Sequence, residues 1–352
     1  MSQFFDERVF TLQWHITACC QQRCKHCYMF ESETYDSEIK NELSTVESKR
    51  VIDNFVKFCS EQNIRGRINF AGGDPLLRAD VYELVEYARF FGVQVEILGN
   101  PFQINTEVAE RLKILGISLY QLSLDGLKET HDRFRDSGSF GETTRAIGVL
   151  KKAGIPVCIM MTLSRENSDD LVPLMEHCSN LGVDIFAFAR ISCTGNATMF
   201  RDDQISPIEY KTVLLKYEQK AKELRSKGSN TFFSKKCSLW QLLDYERGLI
   251  TLPKNKKVIW IGCSLAIDIL TLLADGTIMA CRRFPSIVGN IRKDSFYDVF
   301  LRSNKLDKYR DYSGMEKCSK CELLPICRGC PAVAYGVSGD WRSTDPQCWK
   351  EL

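Results

Sequence analysis

Hydrophobic and polar positions follow two alternating rhythms along the first 190 residues of the chain. Short runs rich in β-branched and aromatic residues are each followed by a longer stretch with apolar residues at helical spacing. This pattern is typical of βα units repeated around a parallel sheet. The predicted strands are residues 11–16, 67–70, 94–98, 119–123, 157–162 and 184–189. Six units predict an α/β fold built as a partial (β/α)6 TIM-like barrel.

Two of the intervening helices carry clear end signals. The helix predicted over residues 45–61 opens with the capping box Ser44-Thr45-Val46-Glu47, and the helix over residues 140–153 ends before Gly154. Beyond residue 205 the composition turns helical and charged, and roughly the last hundred residues shift to short strands and clustered cysteines. We therefore predict a barrel at 1–205, a helical bridging region at 206–255 and a small Cys-rich domain at 256–352.

Composition and charge narrow the class of protein. The N-terminus, Met1-Ser2-Gln3-Phe4-Phe5-Asp6, lacks the features of a secretion signal, and no apolar run is long enough to span a membrane. We expect a cytoplasmic protein, in which the 16 cysteines are better explained by metal ligation than by disulfides. The near balance of 47 basic and 45 acidic residues argues against nucleic acid or a membrane surface as a partner.

Unusual residues follow the predicted strands, where parallel barrels build active sites from their βα loops. The first of these loops contains Cys20, Cys24 and Cys27. Three cysteines can hold three irons of a 4Fe-4S cubane and leave the fourth iron free to bind a substrate or cofactor. A zinc site is the alternative, but structural zinc takes four protein ligands, commonly as two separated cysteine pairs.

The spacing CxxxCxxC, with the aromatic His26 before its last cysteine, resembles the signature of the radical S-adenosylmethionine (SAM) superfamily. The motif Gly72-Gly73-Asp74-Pro75, directly after the second predicted strand, resembles the GGEP motif of that family, with Asp74 replacing the commoner Glu. The resemblance implies that the open iron binds the amino and carboxylate groups of SAM. It also implies that backbone groups of the glycine motif approach the amino end of SAM, where glycine removes an obstructing side chain.

Two further segments, Ser123-Leu124-Asp125-Gly126 and His131-Asp132 through Arg135, also resemble family segments. In the family a serine and an arginine fix the ribose and the methionine carboxylate, which assigns these roles to Ser123 and Arg135. Asn100 and Ile191 would line the nucleoside site. The alternative is structural, with Ser123 as a strand-end cap and Arg135 in a surface ion pair worth under about 1 kcal/mol.

The C-terminal cysteines form a second pattern, which resembles the SPASM domain of radical SAM enzymes that mature peptides and proteins. The spacing between Cys327 and Cys330 is two residues, where the family usually has three. The resemblance assigns the outer auxiliary cluster to Cys318, Cys321, Cys327 and Cys348, and the inner one to Cys263, Cys281 and Cys330. With the SAM-binding cluster this makes three 4Fe-4S clusters, and a pair of zinc ribbons is the alternative.

The inner auxiliary group lacks an obvious fourth ligand. Either Cys237 reaches in from the bridging region, or the iron is open and binds a substrate group such as a peptide thiolate. The long sequence distance from Cys237 to Cys263 slightly favours the open iron.

The implied chemistry is reductive cleavage of SAM to methionine and a 5'-deoxyadenosyl radical, which abstracts hydrogen from the substrate. Since SPASM relatives modify peptides and proteins, the first choice is a maturase that installs a thioether or other cross-link in a ribosomally made precursor peptide. Flavodoxin or ferredoxin would supply electrons. Because no extra domain precedes the first predicted strand, leader recognition would use the barrel itself or a separate leader-binding protein.

Other functions stay open within the same architecture. A sulfatase-type maturase is less favoured, because that subgroup has Asp after the cysteine equivalent to Cys281 and this chain has Arg282. Maturation of a tetrapyrrole or quinone cofactor is a further alternative. In another class, the chain would be a non-catalytic iron–sulfur electron carrier or a zinc-stabilised binding module. An electron carrier, however, has no need of the glycine motif or of an open iron.

Overall fold

The structure, a computed structural model, describes residues 9–255, 259 and 261–352. The sequence Met1 to Asp6 and the predicted domain boundary at 256 lie outside the described residues. The described chain builds one ten-stranded sheet in the order β10-β9-β8-β1-β2-β3-β4-β5-β6-β7. The strands are β1 Val9–Thr17, β2 Arg65–Gly72, β3 Gln94–Leu98, β4 Leu119–Ser123, β5 Val157–Leu163, β6 Ile185–Arg190, β7 Phe232–Phe233, β8 Ile269–Leu272, β9 Thr277–Met279 and β10 Ile287–Asn290.

The six predicted barrel strands are all present as β1 to β6, and each pairs in parallel with the next. Two additions were not predicted. The two-residue strand β7 pairs in parallel with β6, and β8 pairs in parallel with β1, so the C-terminal third extends the barrel sheet. Within the described residues β7 and β8 do not pair with each other, which leaves the parallel sheet open as a partial barrel.

Helices connect the strands, as the βα pattern predicted. The capping box of the second helix is present, with Glu47 N donating to Ser44 Oγ at 3.3 Å and Ser44 N donating to Glu47 Oε2 at 2.9 Å. The helices are α1 Tyr35–Lys40, α2 Thr45–Glu61, α3 Val81–Phe90, α4 Thr106–Ile114, α5 Lys128–Arg135, α6 Ser139–Lys152, α7 Leu171–Asn180, α8 Pro207–Ser226, α9 Leu239–Glu246, α10 Phe296–Arg302, α11 Asn304–Asp307 and α12 Pro331–Ser338.

The main apolar core lies between the sheet and these helices. Along β2, Ile68 and Phe70 are fully buried in this core, and along β3 Val95 and Ile97 are as well. Since side chains alternate between the two faces of a strand, the residues between them point to the opposite face of the sheet. No helix in the part of the chain that the structure describes is long and apolar enough to cross a membrane.

Candidate active site and cysteine clusters

The loop that carries Cys20, Cys24 and Cys27 follows β1 and is held on one side by the glycine motif. Gly73 N donates to the carbonyl of Thr17 at 2.9 Å, and Asp74 N donates to the carbonyl of Cys19 at 2.8 Å. The motif lies at the end of β2, the neighbour of β1. These backbone contacts fix the start of the cysteine loop at the carboxyl edge of the sheet.

The two glycines are required by this close approach of two backbones. A Cβ atom on Gly73 would lie 1.9 Å from the carbonyl oxygen of Cys19, and one on Gly72 would lie 2.1 Å from that of Thr17. Gly72 also has φ +122°, a conformation that favours glycine. The resemblance assigned the glycines to the approach of SAM, and the structure adds a second reason, the packing of the motif against the cysteine loop.

The other side of the cysteine loop rests on the end of α5 and the start of α6. Lys25 N donates to the carbonyl of Phe134 at 3.0 Å, and the amide of Gln22 donates to Ser139 Oγ at 2.9 Å. The loop is therefore clamped between the second and fourth βα units, which brings the predicted residues of both units to the cysteines.

Two residues predicted to contact SAM lie directly against the cysteine thiols. Asn100 Nδ2, at the end of β3, donates to Cys20 Sγ at 3.2 Å, and Arg135 Nη1 lies 3.7 Å from Cys24 Sγ. Burial raises the pKa of the Cys24 thiol to about 12 and also raises that of Cys20. Iron binds the thiolate form, so a bound cationic metal centre would have to offset this burial and keep the sulfurs deprotonated.

Asp125 anchors the site through a buried ion pair that the sequence analysis did not single out. Arg135 Nε donates to Asp125 Oδ2, Thr162 N donates to Asp125 Oδ1 at 2.8 Å, and His26 Nε2 lies 3.3 Å from Asp125 Oδ2. Burial would raise the pKa of Asp125, but Arg135 and the neighbouring histidines lower it to about 2. Arg135 is therefore part of a buried pair and not of the surface ion pair considered as the alternative.

His26, which lies next to Asp125, is held in its neutral form. Burial lowers its pKa to about 4, and among the described residues its Nδ1 atom has no hydrogen-bond partner. Its ring lies 5.3 Å from that of Phe134. The residue before the last cysteine thus packs beside the cysteine loop with one polar atom left for a ligand.

Asp74 also has a free polar atom. Its Oδ1 accepts from Leu76 N at 3.3 Å, whereas Oδ2 is buried and has no hydrogen-bond partner in the described chain. Burial raises the pKa of this carboxyl to about 6. A cationic group such as the amino group of SAM would satisfy the free oxygen, so the donors and acceptors present here fit that cofactor.

The remaining predicted SAM contacts lie at the same edge of the sheet. Pro75 begins a 3-10 helix that Asp74 caps, and Ser123 is the last residue of β4. Ile191, one residue after β6, is buried in a small apolar cluster with Phe134. These positions agree with a shared site, while the SAM-binding roles themselves stay predictions.

The four cysteines assigned to the outer auxiliary cluster line one cavity. The cavity is bordered by all four of these residues, Cys318, Cys321, Cys327 and Cys348, together with Asp345. The carboxylate of Asp345 accepts from Arg190 at 2.6 and 2.7 Å and from Cys330 N at 2.7 Å. Asp345 therefore connects the end of β6 to both C-terminal cysteine groups.

The three cysteines assigned to the inner auxiliary cluster also lie together. Burial, together with the nearby thiols of Cys330 and Cys281, raises the pKa of Cys263 to about 12. Arg283 Nη2 donates to Cys330 Sγ at 3.2 Å. In contrast, Cys237 lies beside the hydroxyl of Tyr210 and close to Cys327, a member of the outer group.

The outer cysteines share one cavity, and the inner cysteines interact electrostatically with one another. In the part of the chain that the structure describes, no three His, Cys, Asp or Glu side chains converge to hold one metal ion. A 4Fe-4S cubane is larger and needs its cysteines further apart than one zinc ion does. The donor sets are thus compatible with iron–sulfur clusters, and the ligand assignments stay predictions.

Arg282, at the position where the sulfatase-type enzymes have Asp, is a structural residue in this chain. It is buried, and its Nη2 donates to the buried carboxylate of Glu38 at 2.8 Å. Its Nε lies 3.4 Å from His15 Nδ1. The residue after Cys281 therefore joins the C-terminal region to α1 and β1 and offers no carboxylate base.

An open parallel sheet with a clamped cysteine triad and two further cysteine groups defines a class of SAM-dependent iron–sulfur enzymes. Residues 14–178 match the radical SAM superfamily, and residues 263–331 match SPASM, an iron–sulfur cluster-binding domain. The AdoMet-dependent heme synthase of Nitratidesulfovibrio vulgaris is 30% identical over 96% of this chain and 91% of its own. The chain belongs to the radical SAM superfamily and carries a SPASM domain.

Two other relatives show how widely this architecture is used. The mycofactocin maturase MftC of Mycolicibacterium smegmatis is 27% identical over 96% of this chain and 82% of its own. The crystal structure of Streptococcus suis SuiB bound to the precursor peptide SuiA superposes with a TM-score of 0.77 at 16% identity, over 98% of this chain and 76% of that one. The structural similarity confirms the partial barrel with its C-terminal SPASM domain.

Proposed function

We propose that this protein is a radical SAM enzyme that modifies a tetrapyrrole. The observation that carries the proposal is the 30% identity to an AdoMet-dependent heme synthase, which extends over nearly the whole of both chains. Tetrapyrrole maturation was one of the alternatives left open by the sequence. The precursor-peptide maturase, which was the first choice there, becomes the second candidate.

SAM and three 4Fe-4S clusters would supply the radical chemistry, with electrons from flavodoxin or ferredoxin. The protein's own residues hold and orient these groups. Cys20, Cys24 and Cys27 would bind the first cluster, and Asn100 and Arg135 would donate hydrogen bonds to its sulfurs. Asp74 offers a buried acceptor for a ligand ammonium, and the surrounding loops exclude water from the edge where substrate and cofactor meet.

The test is hydrogen transfer from a porphyrin. The anaerobically reconstituted enzyme would be mixed with SAM, a reductant and iron coproporphyrin III, whose side chains carry deuterium. We expect the porphyrin to raise the yield of 5'-deoxyadenosine, deuterium to appear in that product, and the porphyrin mass to change. An enzyme that cleaves SAM at the same slow rate with and without porphyrin, and leaves porphyrin unchanged, would contradict the proposal.

The second candidate, a peptide maturase, is favoured by the 27% identity to MftC. In that case leader recognition would use the barrel itself or a separate leader-binding protein, and an open inner iron would bind a peptide thiolate. The same assay, with Cys-containing peptides encoded near the gene in place of porphyrin, separates the candidates. A peptide that stimulates 5'-deoxyadenosine formation and itself changes mass, while porphyrin does neither, would establish this second function.

A further inference from the structure

On β1, β2 and β3 the face of the sheet that points away from the helices is polar, in contrast to the apolar face in the core. On β2 and β3, Arg67 lies 3.4 Å from Glu96, and Gln94 Nε2 donates to Glu96 Oε1 at 3.3 Å. On β1, the side-chain nitrogens of Gln13 and His15 are 3.4 Å apart. Because parallel barrels usually fill this face with branched apolar residues, a polar lining indicates a cavity that receives a polar ligand.

Lys236 reaches into this cavity from the segment between β7 and α9. It is accessible to solvent, yet enough protein surrounds it that desolvation lowers the pKa of its ammonium. Its electrostatic neighbours are Cys158 on β5, Glu96 on β3 and Arg283. Cys158 and Glu96 alternate along their strands with residues of the apolar core, so both face the interior of the partial barrel. Lys236, which lies near both of them, faces the same interior.

The backbone just before Lys236 is held against β6 and α8. Ser234 N donates to the carbonyl of Phe186 on β6 at 2.9 Å, and the Tyr217 hydroxyl donates to the carbonyl of Ser234 at 3.0 Å. The preceding residue, Lys235, points the other way and lies 2.9 Å from Asp244 on the outer surface. The two consecutive lysines therefore separate, one inward and one outward.

The nearby charges leave Lys236 without a direct ion-pair partner. Glu96 is engaged by Arg67, and Arg283 donates to Cys330 Sγ. Burial raises the pKa of Cys158 to about 12, so that thiol is neutral. Within the described residues Lys236 has no hydrogen bond or ion pair, so its ammonium is available to pair with an anionic ligand.

We propose that Lys236 binds a carboxylate of the substrate inside the barrel, near Arg283. This inference rests on the proposed function and makes it more specific, since it requires a tetrapyrrole with acidic side chains. The ammonium would form a charge-assisted hydrogen bond to one such carboxylate and orient the macrocycle toward the SAM site.

The experiment measures binding of iron coproporphyrin III to the reconstituted full-length enzyme with SAM present, followed by the absorbance of the porphyrin. Lys236→Met should weaken binding about tenfold or more, the typical effect of losing one charged hydrogen bond. Lys236→Arg, which keeps the charge, should bind more tightly than Lys236→Met. Lys235→Met, the matched control, should bind as the wild type does.

A second ligand tests the chemistry of the contact. When each carboxylate of the porphyrin is converted to a neutral amide, the wild type and Lys236→Met should bind it equally. Iron content and the slow SAM cleavage without substrate serve as controls for folding. If the wild type binds the porphyrin and Lys236→Met binds it equally well, Lys236 has no such role and the proposed function stands. If the wild type binds no porphyrin, both proposals are wrong.

Discussion

The side-chain amide of Asn100 lies 3.2 Å from Cys20 Sγ, and it comes from a different βα unit than the cysteine loop. The contact is set by the backbone, since the Tyr120 hydroxyl donates to the carbonyl of Asn100 at 3.1 Å. Hydrogen bonds to ligand sulfurs stabilise the reduced form of an iron–sulfur cluster, because they partly neutralise its added negative charge.

Replacing Asn100 with Leu should therefore make the midpoint potential of the first cluster more negative. The loss of one hydrogen bond of about 1 kcal/mol corresponds to about 40 mV for a one-electron couple. The measurement is a redox titration followed by EPR. Asn105→Ala is the control, because Asn105 caps α4 by accepting from Val108 N and should leave the potential unchanged. An unchanged potential in Asn100→Leu would show that the amide does not reach the cluster.

Gly73→Ala should remove the first cluster. Its Cβ atom would lie 1.9 Å from the carbonyl oxygen of Cys19, so the glycine motif and the cysteine loop would have to separate. We expect the loss of about four irons per chain and of SAM cleavage, with the auxiliary iron retained. Gly148→Ala is the control, since its Cβ in α6 meets no atom within 4 Å and the change should stabilise the helix by about 0.5–1 kcal/mol. Full iron content in Gly73→Ala would show that the glycine motif and the cysteine loop tolerate the added Cβ atom.

Asp74→Asn should stabilise the SAM-free enzyme at neutral pH. Burial raises the pKa of Asp74 to about 6 from its ordinary value of 3.8. Ionising it in the folded protein therefore costs about 3 kcal/mol above pH 6, and this cost is absent below about pH 4. The melting temperature of Asp74→Asn should exceed that of the wild type at pH 7.5, and the difference should shrink as the pH falls to 5. A difference independent of pH would show that the carboxyl titrates normally.

Local sequence signals predicted much of this fold. The six strands and the capped helix α2 follow from patterns contained within a few residues, and the bounds of β3, β4 and α2 agree with prediction. Strand β7 was missed because two residues show no alternation, and its pairing depends on β6. The pairing of β8 with β1 joins residues more than 250 positions apart, so no local pattern contains it.

The candidate site likewise contains residues that short sequence patterns predict and residues that only the fold reveals. The cysteine triad and the glycine motif are short patterns with a recognisable spacing, which is why they could be found from sequence. Asp125 was visible only as part of a loop, because its ion pair with Arg135 depends on how α5 packs against the cysteine loop. Lys236 gave no signal at all, since only the fold shows that it points inward while Lys235 points outward.

The last prediction concerns the fourth ligand of the inner auxiliary cluster. Cys237 lies beside Tyr210 and Cys327, whereas Cys263, Cys281 and Cys330 lie near one another and near Arg283. This arrangement favours an inner iron that no protein thiolate completes. Cys237→Ala should therefore keep about twelve irons per chain, the number that three 4Fe-4S clusters contain.

Cys330→Ala is the comparison, because it removes one of the three close thiols and should lose about four irons. An open iron should also respond to an added thiolate, so a Cys-containing peptide or a small thiol should alter the EPR signal of the auxiliary cluster in Cys237→Ala. If Cys237→Ala instead loses about four irons, Cys237 completes the inner cluster. The inner cluster would then have no open position for a substrate and would serve electron transfer, since its irons would all be bound by the protein.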